Sequence, residues 1–136
     1  MGGGAGLIVL DTHAWIWLMD TPDRIGRRAL AAIKAAERIG VSSISCWELA
    51  ALVRRGRISL DRDAGAWARQ ALAAPRCVEL PLTAEIAFRA AELDPESFPA
   101  DPADRFIYAT AATIGAPLAT ADIAISAFEP ARTLWD

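Results

Sequence analysis

Lysine and histidine are almost missing from this 136-residue chain, which holds only Lys34 and His13. Cysteine is scarce too. Cys46 and Cys77 have no second Cys or His at metal-ligand spacing, which excludes a disulfide framework or a zinc ribbon. Both thiols are expected to pack as small buried hydrophobes. No apolar run is long enough to span a bilayer. The longest uncharged stretch, Phe106 to Ala121, is broken by Gly115 and Pro117. No basic segment precedes an apolar one at the start, so no secretory leader is expected and the cytoplasm is the default location. Residues 1–6, opening Met1-Gly2-Gly3-Gly4, read as a flexible terminus or cloning scar. This Gly-rich stretch precedes the first strand instead of following it, which excludes a dinucleotide-binding fingerprint. A surplus of positive charge is missing as well: the net charge is −3, not the basic balance usual for a nucleic-acid binder.

What is present is apolar and regularly punctuated. With 54% hydrophobic residues, the chain can build one core and one domain, expected over 7–136. Leu7–Leu10 reads as a strand buried on both faces. Helices are expected over Thr12–Met19 and Ile25–Arg38, the second ended by Ile39-Gly40. A strand near Val41–Ile44 leads to a helix over about Cys46–Arg55. Asp63–Ala73 reads as helix, Cys77–Leu80 as strand, and Ala84–Ala91 as helix by its apolar period. Asp94–Ala100, with two prolines, is expected to be a loop. Pro102–Ile114 follows as a helix with proline in its first turn. Strand Leu118–Thr120, a short helix and an edge strand near Arg132–Leu134 complete the chain. The fold class is therefore α/β, a central, mostly parallel sheet of about five strands flanked by helices.

Asp11, Glu48, Asp104 and Asp122 each follow a strand or enter a helix in this scheme. In an open α/β sheet such positions converge on a crevice at the carboxyl ends of the strands. Clustered carboxylates are costly without a counter-charge, and hard cations such as Mg²⁺ supply one through oxygen ligands. That points to metal-dependent chemistry at a phosphodiester, with the cation activating water. Each acid also has a plainer reading. Ser45-Cys46-Trp47-Glu48 fits a capping box, Asp101-Pro102-Ala103-Asp104 fits an N-cap and an acid favoured by the helix dipole, and Asp11 and Asp122 could cap helices. Thr12, Ser45 and Thr120 neighbour the acids and either bond them or serve as ordinary caps.

Four segments carry a resemblance: Leu10-Asp11-Thr12-His13-Ala14-Trp15, Ser43 to Ala50, Asp101-Pro102-Ala103-Asp104-Arg105-Phe106-Ile107-Tyr108-Ala109 and Thr120-Ala121-Asp122. Their order and spacing resemble the PIN-domain family and, within it, VapC-type toxin ribonucleases. The resemblance runs from Leu7 to the last strand. It implies a single PIN-like domain with Mg²⁺- or Mn²⁺-dependent endoribonuclease activity. Asp11, Glu48, Asp104 and Asp122 would be its catalytic and metal-binding residues, with Asp101 ranked behind them. It also implies an RNA substrate, a homodimer and a cognate VapB-like antitoxin.

Arg54, Arg55, Arg57 and Arg105 are the candidates for gripping RNA phosphates. The first three could equally be a solvated helix end, and Arg105 could pair with a pocket acid. His13 is expected to pack or to lie at an interface. Most tryptophans are assigned to the core, with the first helix, around Trp15 and Trp17, the expected interface and the landing site for an antitoxin tail. Receiver-type domains and haloacid-dehalogenase-type phosphatases are excluded by the missing late lysine. A PIN-like housekeeping nuclease on DNA or RNA, or a non-catalytic PIN-like binding module, stays open as an alternative.

Overall fold

The computed structural model describes residues 6–98 and 101–136. The apolar run Leu7–Leu10 forms β1, every residue of it buried. The chain continues through α1 (Thr12–Asp20), α2 (Arg27–Ala35), β2 (Arg38–Ser42), α3 (Ser43–Arg54), α4 (Ala64–Leu72) and β3 (Cys77–Leu80). It finishes with α5 (Ala84–Glu92), α6 (Pro102–Ile114), β4 (Leu118–Ala119), α7 (Ile123–Phe128) and β5 (Thr133–Leu134). All strand pairs are parallel, in the order β3-β2-β1-β4-β5.

Side chains alternate across a strand, so Ile8 and Leu10 face one layer with Trp15, Ile33, Leu49 and Trp67. Leu7 and Val9 face the other, with Phe98, Ile107, Tyr108 and Leu118. Helices therefore cover both faces, as a parallel sheet requires. Because the chain winds outward from β1 to β3 on one side and from β4 to β5 on the other, β1 and β4 flank the topological switch point. Crevices form there at the carboxyl edge. Among the described residues no helix is long and apolar enough to cross a membrane.

Two boundaries differ from the sequence reading. α2 stops at Ala35, with Ala36 extended at ψ 144 and the Arg76 guanidinium donating to the carbonyls of Ile33 and Ala36. Arg38, Ile39 and Gly40, expected as helix and terminator, are strand residues, and Ile39 pairs between Ile8 and Cys77. Gly40 is in the sheet for want of space: a Cβ there would lie 2.6 Å from Leu80 Cδ1 and 3.2 Å from Leu7 Cδ1. The second shift is at α3, which begins at Ser43 because the Ser42 hydroxyl accepts the Ile44 N–H and caps it. The expected loop Asp94–Ala100 lies partly outside the described residues; within it Phe98 is fully buried against the Tyr108 and Phe128 rings.

Candidate metal centre

Asp11 leaves β1 at the switch point. Its N–H donates to the Ala119 carbonyl at the end of β4, and its Oδ1 accepts the Ala14 N–H at 2.8 Å as the cap of α1. Asp122 leaves β4 and caps α7 in the same way, accepting the Ile125 N–H at 3.0 Å. Thr120, buried beside them, accepts the Asp122 N–H, and its hydroxyl also favours the ionised form of Asp11. Asp101 caps α6 through the Asp104 N–H, which places Asp104 in the first helical turn.

Glu48 arrives by a different route. Since Ser42 is the cap of α3, Glu48 is the sixth helical residue, and the capping box expected from Ser45 to Glu48 does not exist. Its carboxylate instead receives a hydrogen bond from the Thr12 hydroxyl at 2.5 Å. One oxygen each from Glu48, Asp101 and Asp104 lie within 4.8 Å of one another. Asp101, ranked behind the others from sequence, is thus part of the cluster.

The electrostatics follow from this crowding. Burial and then the charges of Asp101, Glu48, Asp122 and Asp11 push the Asp104 carboxyl up to about 8. Burial also raises Asp11, against the lowering effect of its Thr120 and Ala14 hydrogen bonds. No arginine answers these charges: the ion pairs among the described residues are Arg62–Asp61 and Arg132–Glu129, both elsewhere. Carboxylate oxygens without a counter-charge are the donor set that suits a hard divalent cation. The protein's own side chains leave that role open.

The proposed RNA contacts separate from this cluster. Arg105 turns away from the acids and donates to the carbonyls of Ala90, Leu93 and Phe98. It straps α6 to the segment after α5 instead of pairing with a pocket acid. Arg54, Arg55 and Arg57 are exposed, but at the far end of α3. Arg54 lies about 9 Å from Glu48 along the helix axis at 1.5 Å per residue. His13 is exposed, with its ring 5.7 Å from that of Trp17.

The expected landing surface on the first helix is not available as drawn. Trp15 is fully buried, edge-on to Trp67, and Trp17 is half-buried against Trp135 with Arg24 over its ring. The exposed tryptophan is Trp47, beside Glu48 in sequence and 57% accessible. Glu48 pointing inward at the next position could have signalled that Trp47 faces out, because neighbours on a helix lie 100° apart.

The PIN domain model matches residues 8–129 of this chain. Ribonuclease VapC22 of Mycobacterium tuberculosis is 38% identical over 130 residues, 94% of this chain and 98% of that protein. Among solved structures, a chain of VapBC2 from Rickettsia felis, crystallised with a promoter DNA fragment, superposes with a TM-score of 0.67 at 19% identity, covering 96% of this chain and 99% of that one. A chain of VapBC-1 from nontypeable Haemophilus influenzae gives 0.66 at 18% identity, covering 94% and 96%. A chain of a Klebsiella pneumoniae toxin–antitoxin complex gives 0.65 at 22% identity, covering 93% and 95%. The order of strands, the acids at the switch point and a relative alike along nearly its whole length agree: the chain belongs to the PIN-domain family, in its VapC-type branch.

Proposed function

We propose that this protein is a Mg²⁺- or Mn²⁺-dependent endoribonuclease, the toxin of a toxin–antitoxin pair acting in the cytoplasm. The observation that carries this reading is a group of five carboxylates at the switch point that, among the described residues, form no ion pair with an arginine or lysine. The ribonuclease name of the 38% identical relative supports RNA as the substrate. The toxin–antitoxin complexes among its structural neighbours support a VapB-like antitoxin as partner.

Asp11, Glu48, Asp104 and Asp122 would hold the cation, with Asp101 joining from the mouth. When bound, the cation supplies the positive charge that makes water acidic enough to attack phosphorus and that offsets charge developing on the phosphate. The chain's own groups set the stage for that. Thr120 accepts the Asp122 N–H, and the caps of α1 and α7 orient each carboxylate by one oxygen, leaving the other to bind. The helix N-termini behind Asp11, Asp122 and Asp104 oppose the burial and repulsion that raise Asp11 and Asp104, and a bound cation would supply the rest of the charge that the ionised ligands need. Arg54, Arg55 and Arg57 would contact phosphates of the RNA strand away from the cut. A homodimer belongs to the same reading.

The test is cleavage of structured RNA in Mg²⁺ or Mn²⁺ with a chelator control. Asp11→Asn, Glu48→Gln, Asp104→Asn and Asp122→Asn should each remove most activity, and pairs should add little because the acids act as a unit. Cleavage that persists in chelator, and equally in Asp11→Asn and Asp104→Asn, refutes the reading. Co-expression with the neighbouring gene tests the toxin part. Growth should stop with this chain alone and recover with the neighbour; equal growth in both cases favours a housekeeping nuclease or a binding module.

A further inference from the structure

Two buried hydroxyls at the centre of the site have no capping work to do. Asp11 already caps α1, so the hydroxyl of Thr12, the first residue of that helix, is not needed by the backbone. Ser42 caps α3, which likewise frees Ser45. Thr12 Oγ1 lies 2.5 Å from Glu48 Oε1 and 2.9 Å from Ser45 Oγ. A threonine hydroxyl has one hydrogen, and an ionised carboxylate only accepts. The Thr12 hydrogen therefore goes to Glu48, and the Ser45 hydrogen goes to Thr12. The short first contact is in the range of a charge-assisted O–H···O⁻ bond. Thr12 is 2% exposed and Ser45 0%, so neither hydroxyl is open to water.

Glu48 needs such a bond more than the aspartates do. Each aspartate of the cluster has a short side chain, and Asp11, Asp101 and Asp122 are further fixed by a backbone N–H. Glu48 stands mid-helix, where its longer side chain has no backbone N–H to hold it. Repulsion from Asp101 and Asp104 would swing it outward. We infer that Thr12, itself oriented by Ser45, is a positioning residue that pins one oxygen of Glu48 and leaves the other aimed at the cation. The inference rests on the proposed metal-binding role of the acids. It assigns the Thr12 hydroxyl to Glu48 and the Ser45 hydroxyl to Thr12.

The test measures Mn²⁺ binding to the purified, metal-stripped protein by titration calorimetry, with thermal melting alongside. Thr12→Val keeps the shape and removes the hydroxyl. It should weaken Mn²⁺ binding by about ten- to a hundredfold, the usual effect of removing a partner that orients a metal ligand. Thr12→Ser should restore binding, and Ser45→Ala should show a smaller loss of the same kind. A purely structural threonine would alter melting and leave the affinity of the folded protein unchanged. Wild-type affinity in Thr12→Val overturns the inference, as does an equal loss in Thr12→Ser. Should Thr12→Val fail to fold, Ser45→Ala decides: wild-type affinity there overturns the inference. A wild-type protein that binds no Mn²⁺ overturns the metal reading itself, whereas binding abolished by Glu48→Gln yet intact in Thr12→Val sinks the positioning role alone.

Discussion

Asp104 gives the sharpest energetic test. Its carboxyl is held at about 8, against an ordinary value of 3.8, by burial and by four neighbouring acids. A raised carboxylate pKa means that the folded state binds a proton which the unfolded chain releases. Stability from this group is full below pH 4, declines as pH rises between about 4 and 8, and levels off above that. At 1.36 kcal/mol per tenfold change the whole shift would correspond to about 5–6 kcal/mol. The site opens to solvent on one side and Asp101 is exposed, so screening and rotation reduce the penalty to about 2–3 kcal/mol. Asp104→Asn removes the charge at nearly constant shape. In chelator at pH 8 the variant should be the more stable protein by about 2 kcal/mol, and by pH 4 the gap should close. Urea unfolding of both proteins at several pH values, read as the difference between them, reports Asp104 together with the four acids coupled to it and cancels groups titrating elsewhere. A difference that does not change from pH 4 to pH 8 refutes the picture of a crowded, uncompensated cluster.

Metal should reverse that ranking: at a hundred times its Kd, Mg²⁺ should stabilise the wild-type protein by about 2.7 kcal/mol, and melting of Asp104→Asn should respond far less. Asp122→Asn should fold normally, because Asn caps a helix about as well as Asp; unfolding of that variant would reassign Asp122 to a purely structural cap. Arg105→Ala should cost about 2–4 kcal/mol through three lost carbonyl contacts. If Arg105 instead bound RNA, melting would hold while RNA affinity, measured on the folded protein, fell. Gly40→Ala should cost about 1–3 kcal/mol by forcing Leu80 and Leu7 apart, checked by denaturant midpoint.

The sheet was legible in the sequence because its strands are short apolar runs separated by helical periods. The α2–β2 boundary was misplaced for a physical reason. Gly40 serves as spacing between Leu7 and Leu80, contacts from distant strands, and no local pattern separates that use from a helix stop. Arg105 is a comparable case. An arginine beside a proposed ligand suggests electrostatics, yet its partners are carbonyls left over at the end of α5 and around Phe98, set by how two helices meet. Trp15, expected at an interface, is buried, and Trp47 is the exposed one, because which face of α1 and of α3 meets the sheet is set by packing that the local sequence does not fix. That these acids would meet was legible through their order and spacing. The hydrogen bond from Thr12 to Glu48 spans 36 residues and follows only from the packing of α1 against α3.

Capping and the proposed metal binding looked like rival explanations of the same acids, and the geometry lets the two coexist. An N-cap aspartate commits one oxygen to a backbone N–H, as Asp11, Asp101 and Asp122 do. Its second oxygen is not used by the cap, and the entrances of α1, α6 and α7 open on the same end of the sheet. Capping thus supplies, at three positions, the rigidity that a ligand set needs, and the local cost of fixing each carboxylate is met by helix formation. Glu48 and Asp104 lack a cap bond of their own, and these are the two whose positions depend on their neighbours: Glu48 on Thr12, Asp104 on the balance of charge around it. The first should therefore respond to loss of a hydroxyl and the second to pH, whereas the three capping aspartates should keep their places under either change.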